Sequence, residues 1–147
     1  MTTPTMFEER ERVSLVARPP ALLAVAIARA LGRFPPRTIR RVLEGARMGA
    51  RPATYDEAAR ARANIVAVSR RCAAQQCVQR SLATALLCRL HGVWPTWHTG
   101  VRMEPFLAHA WVSVDGVPVG EPESTALFRP IMTVSPTTSR EPGEECA

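Results

Sequence analysis

The side chains of this sequence best suited to covalent chemistry are four cysteines, Cys72, Cys77, Cys88 and Cys146, and three histidines, His91, His98 and His109. A cysteine attacks as its thiolate. Two surroundings favour that form near neutral pH: the positive end of a helix dipole and a neighbouring imidazolium. The stretch "QQCVQRSLATALLCRLHG", residues 75–92, opens on a polar pair and then turns apolar at helical spacing. That pattern puts Cys77 at the start of a helix, whose first backbone N–H groups lack partners within it and are available to a developing oxyanion. Cys72 falls in the final turn of the preceding helix, Cys88 inside the helix and Cys146 in the tail. A buried cysteine without activating neighbours is packing material, so Cys77 is the candidate nucleophile among the four.

The base comes from elsewhere in the chain. His91 ends the helix, His98 sits beside Trp97, and His109 sits in "AHAWVSVDG" ahead of Trp111. A strand packed on the helix start can bring an imidazole to the thiol. His109 suits this best, with His98 as the alternative. No pair of cysteines has C-x-x-C spacing and the histidines complete no zinc pattern, so no metal is expected. No phosphate-binding loop is evident either, and no organic cofactor is implied.

The elements around these residues change period midway. The first half reads as helices. "RPPALLAVAIARALGRF" starts on proline, with Leu22, Leu23, Ile27 and Leu31 near one stripe. "PPRTIRRVLEGARMG" carries Ile39, Val42, Leu43 and Ala46, with Gly49 as its cap. "TYDEAARARANIVAVSRRCA" begins with Thr54 and Glu57 at capping-box spacing and buries Ala58, Ala61, Ile65 and Val68. In the cysteine helix the apolar stripe is Val78, Leu82, Leu86 and Leu90. Beyond His91 the pattern alternates, and strands are expected near 96–103, 107–114 and 117–121, the last two joined at Asp115-Gly116, with an edge element in "ALFRPIMTV". The fold class is α+β: N-terminal helices followed by a small antiparallel sheet. We divide the chain into an arm over 1–18, one domain over 19–134 (helical to 92, β from 93) and a disordered tail from 135.

Bulk properties agree with one domain of 147 residues, 46% hydrophobic and 22% charged. The net charge of +6 comes from arginines, most of them within the first 102 residues and in no compact run, which reads as a solvated basic surface or one facing an acidic peptide. One Tyr and four Phe make a poor stacking platform for single-stranded nucleic acid. The start is polar and charged, so a cytoplasmic setting with free thiols is expected. The apolar run before Arg29 is about half the ~20 residues of a membrane span. Core, partner surface and membrane contact are the roles it admits.

The segments "CVQRSLATALLCRLHGV" and "GVRMEPFLAHAWVSVDGVPVGEP", with the helical first half, resemble the lasso peptide biosynthesis B2 protein family. These are stand-alone leader peptidases related to the transglutaminase-like, papain-like cysteine enzymes. The resemblance covers about residues 20–130 and is sharpest over 77–82 and 101–122. It implies a cysteine protease that frees the core of a ribosomally made precursor, with Cys77 as nucleophile and His109 as base. It also implies a precursor leader peptide and a small leader-binding protein (B1 or RRE type) as partners, with a macrolactam synthetase acting next. The family uses an acidic residue after the histidine, and Asp115 and Glu121 are the candidates. Asp115 lies six residues on, about 20 Å along an extended strand. Glu121 would stand opposite His109 if the turn held three residues, whereas a two-residue turn would put Pro122 there. Related enzymes carry the acid on the following strand, so Glu121 is preferred, although many of them have Asp in its place. A transglutaminase-like acyltransferase and a non-catalytic peptide-binding module are the rival readings.

Overall fold

A computed structural model describes residues 14–69 and 76–137. Four helices, α1 (Arg18–Leu31), α2 (Pro36–Ala46), α3 (Tyr55–Val68) and α4 (Cys77–Leu90), precede most of the β structure. A four-stranded antiparallel sheet has the order β5-β4-β3-β6, from β3 (Thr96–Met103), β4 (Phe106–Val114), β5 (Val117–Pro118) and β6 (Arg129–Val134). Two short strands absent from the sequence reading, β1 (Arg51–Pro52) and β2 (Val93–Trp94), pair in parallel and tie the α2–α3 connection to the end of α4. The expected position of Cys72 and the segment from 138 onward lie outside the described residues.

α4 is the axis of the molecule. It touches α1, α3, β2, β3 and β4, and every residue from Ser81 to Cys88 is buried. The apolar stripe is exposed at its ends, Val78 and Leu90, whereas Leu87, the small residues Ser81, Thr84 and Cys88 beside it, and also Ala83 and Ala85, are buried. Burying Leu82, Leu86 and Leu87 contributes roughly 1.5–3 kcal/mol each.

The face of α1 also differs from expectation. Leu22, Leu23 and Ile27 are exposed, and the buried face is Ala21, Ala24, Val25, Ala28 and Leu31. Small side chains let α1 approach α4 closely, and close packing selects them over larger residues one step round the helix. In α2 only Ile39 and Leu43 are buried, and Gly49 (φ 78°) shapes the turn after the helix ends at Ala46. α3 starts as its sequence demands. Thr54 Oγ1 accepts from the Glu57 N–H and Glu57 accepts from the Thr54 N–H, a complete capping box over buried Ala58, Ala61 and Ile65. Among the described residues no helix is long and apolar enough to cross a membrane.

β3 and β4 form a hairpin across Glu104-Pro105, pairing Met103 with Phe106 and Gly100 with His109. Strand alternation gives the sheet two different faces. One carries Trp97, Val112, Val114 and Val134 into the core, where the Trp97 indole donates to Ser81 Oγ on α4 (3.1 Å) and Trp94 donates to the Val134 carbonyl (3.2 Å). Both tryptophans are core residues, Trp94 fully buried and Trp97 1% exposed. The other face carries His98, His109 and Trp111.

Candidate active site

Cys77 is the first residue of α4, and its N-cap, Gln76, provides no side-chain cap. The first helical bond runs from Arg80 N–H to the Gln76 carbonyl at 3.0 Å, so the N–H groups of 77, 78 and 79 have no acceptor within the helix. No acidic side chain lies in this first turn to neutralise the positive end.

Cys77 reaches the sheet because β5 is short. The β4–β5 ladder pairs Ser113 with Pro118 and Val114 with Val117, and gains one more bond, from Val119 N–H to the Val112 carbonyl (2.9 Å). There it stops. The outer edge of β4 at Ala110 is left to α4, and there the Ala110 backbone N–H favours the thiolate form of Cys77. His109, one residue earlier, is near enough to the same thiol for each group to favour the charged form of the other.

Glu121 holds the far side of the imidazole. Its Oε2 lies 2.8 Å from His109 Nε2, which leaves Nδ1 for the sulfur. Its Oε1 lies 3.7 Å from Arg80 Nη2 and 3.9 Å from Arg62 Nε, with the carboxylate side chain only 5% exposed. A carboxylate buried to this degree needs cationic partners, and here three elements supply them: α3, α4 and β4.

Glu121 arrives by a route the strand pattern did not predict. The turn after β4 has two residues, Asp115 (φ 51°) and Gly116 (φ 78°), and its register, if continued, would set Pro122 opposite His109. The return strand instead ends at Pro118, short of the expected 121. The chain then bends at Gly120 (φ 62°), where a Cβ would stand 2.9 Å from the Arg62 side chain. This bend brings Glu121 to the imidazole. Asp115 is an exposed turn residue at the hairpin tip.

The electrostatics follow from these contacts. The bond to the Cys77 sulfur and the bond to Glu121 raise His109 to about 9 against the cost of burial. The hydrogen bond from His109, helped by Ala110 N–H and the nearby His109 and Arg80 charges, holds Cys77 below the ordinary thiol range. The two shifts have one origin: Cys77 and His109 each favour the charged form of the other. Cys88 behaves oppositely: burial pushes it up to about 12, which makes it inert.

His98, the alternative base, stands elsewhere. Its Nε2 lies 2.8 Å from Ser113 Oγ and its Nδ1 3.1 Å from Thr133 Oγ1, and it stacks on Trp111. Sequence reasoning missed Arg62 and Phe128. The Phe128 ring centroid lies 5.3 Å from that of His109, and neither residue has a local signal, because each is brought in by tertiary packing. Among the described residues no group of three or more His, Cys, Asp or Glu side chains is placed to hold a metal ion.

A family model described as the transglutaminase-like superfamily matches residues 21–133. No curated protein and no solved structure matches the chain. The matched span runs from α1 to the last strand and so takes in Cys77, His109 and Glu121. With more than half its length covered, the chain belongs to the transglutaminase-like superfamily, whose fold suits a cysteine protease or an acyltransferase.

Proposed function

We propose that this protein is a cysteine endopeptidase that removes the leader from a ribosomally made lasso-peptide precursor. The observation that carries the catalytic part is the Cys77–His109–Glu121 relay at the start of α4. The choice of substrate rests on the sequence resemblance around 77–82 and 101–122. A leader-binding partner presents the leader, and a macrolactam synthetase takes the freed core.

The thiolate of Cys77 adds to the carbonyl carbon of the last leader residue. The carbonyl π electrons move to oxygen, and the N–H groups at the α4 start hold the resulting oxyanion. His109 gives its Nδ1 proton to the amide nitrogen as the C–N bond breaks, releasing the core peptide and leaving a thioester. His109, now neutral, takes a proton from water, whose oxygen attacks the thioester. Collapse expels the thiolate and the leader leaves as a carboxylic acid. Glu121 fixes the ring orientation and balances the imidazolium throughout.

Acyl transfer uses the same thioester with an amine in place of water. Mass spectrometry of the precursor incubated with this protein and the leader-binding protein separates the two: hydrolysis gives two fragments, transfer gives a new amide. Cleavage at the leader–core junction that disappears in Cys77→Ala supports the proposal. Cleavage that persists in Cys77→Ala, or a precursor left intact by the parent protein, sinks it.

A further inference from the structure

The face of the sheet that carries His109 holds a column of rings. His109 and Trp111 stack with centroids 5.7 Å apart and planes 14° apart, and Trp111 and His98 stack at 5.1 Å and 23°. Phe128 closes the near end, 5.3 Å from His109 and 6.4 Å from Trp111. The far end is clamped by hydroxyls on two strands, Ser113 on β4 and Thr133 on β6, one at each nitrogen of His98.

Strand register builds the column. His98 pairs with Trp111, and Gly100 pairs with His109. A Cβ at Gly100 would lie 2.9 Å from Trp111 Cη2 and 2.6 Å from the Arg129 carbonyl oxygen, so only glycine lets the indole lie across the strand beside the imidazole. Glu121 holds Nε2 of His109 at 2.8 Å and Cys77 interacts with the same ring, which together fix its direction along the ring edge. Neither fixes rotation about that line. The flat face of Trp111 does, and a protonated imidazole over an indole also gains cation–π attraction.

We infer that His98 and Trp111 are positioning residues that set the plane of the His109 imidazole through the ring column. Burial holds His98 below its ordinary value, so the far ring is neutral and adds no charge to compete with His109. Its two hydroxyl partners accept or donate as either tautomer requires. The inference rests on the Cys77–His109 pair and not on the identity of the peptide substrate.

The test is the pH dependence of Cys77 alkylation by iodoacetamide in the full-length protein, read on the Cys77 peptide by mass spectrometry. It reports the thiolate–imidazolium pair with no substrate present, so a failure of the peptidase reading leaves it interpretable. His98→Ala, with its fold verified by circular dichroism, is expected to raise the alkylation midpoint by about one pH unit, a tenfold loss of thiolate at lower pH. His98→Phe keeps a ring at that place and is expected to recover the rate to within about threefold of the parent. Where His98→Ala does not fold, Ser113→Ala with Thr133→Val removes only the clamping hydroxyls, and a slowing of about threefold is expected. An unchanged midpoint in folded His98→Ala overturns the inference. So does an unchanged rate in the double variant, or a His98→Phe variant no faster than His98→Ala.

Discussion

Glu121 joins one histidine and two arginines through its two carboxylate oxygens, and this division of labour has a measurable signature. Oε2 supports the charged form of His109, raised to about 9, while Oε1 faces Arg62 and Arg80. In the proposed mechanism the nucleophile is protonated below the pKa of Cys77. Above about 9 the imidazolium has lost the proton that the leaving amine needs. Turnover should therefore rise on an acid limb, hold a plateau, and fall as pH passes through about 9. Glu121→Gln keeps the shape but removes the charge that favours imidazolium. The basic limb should move below 9 and kcat should drop at least tenfold, by the ~10²–10⁴-fold scale of general acid–base catalysis. Asp115→Asn, changed in parallel, should leave the pH–rate profile in place, because the Asp115 side chain sits at a hairpin tip. A large loss at Asp115 with none at Glu121 would overturn the assignment of the orienting acid.

The elements around the site were legible to unequal degrees, and the difference follows from the range of the forces involved. The capping box at Thr54 and Glu57 is settled within four residues, and the sequence pattern predicts it outright. Cys77 at the start of α4 is similarly local. The face of α1 is not. Leu22, Leu23 and Ile27 are the more hydrophobic choice, yet the alanine face packs because distance to α4 matters more than side-chain area. Thermal melts can check this: Ala24→Leu should destabilise by about 1–3 kcal/mol through overpacking, while Leu23→Gln should stay within about 0.5 kcal/mol of the parent. A three-residue hairpin turn would bring Glu121 opposite His109, and the structure does not have that register. The two-residue turn excludes that pairing, and the bend at Gly120 supplies the contact instead. Gly120→Ala places a side chain at φ 62° and 2.9 Å from Arg62. A cost of about 1–3 kcal/mol in a urea melt is expected, with turnover falling further than stability because Glu121 is displaced as well.

At the scale of the molecule, the chain carries a net charge of +6 while the buried carboxylate of the site is already matched by arginines. The surplus is free to act at long range on a substrate. For an acidic peptide kcat/KM should fall as salt rises through the range where the Debye length shrinks from about 10 Å to about 3 Å. Alkylation of Cys77 by uncharged iodoacetamide should change little over the same range, since the close, part-buried thiolate–imidazolium pair is screened far less. Equal salt dependence of the two rates would show that the surface charge does not steer the peptide.

The convergence of α3, α4 and β4 on one carboxylate also bears on when the site is complete. Arg62, Cys77, His109 and Glu121 are spread over 60 positions of the chain, and the last of them is placed only after the bend at Gly120 has formed. On the proposed reading the activated thiol therefore belongs to the completed fold, because the carboxylate that supports His109 reaches it only through the β5–β6 connection.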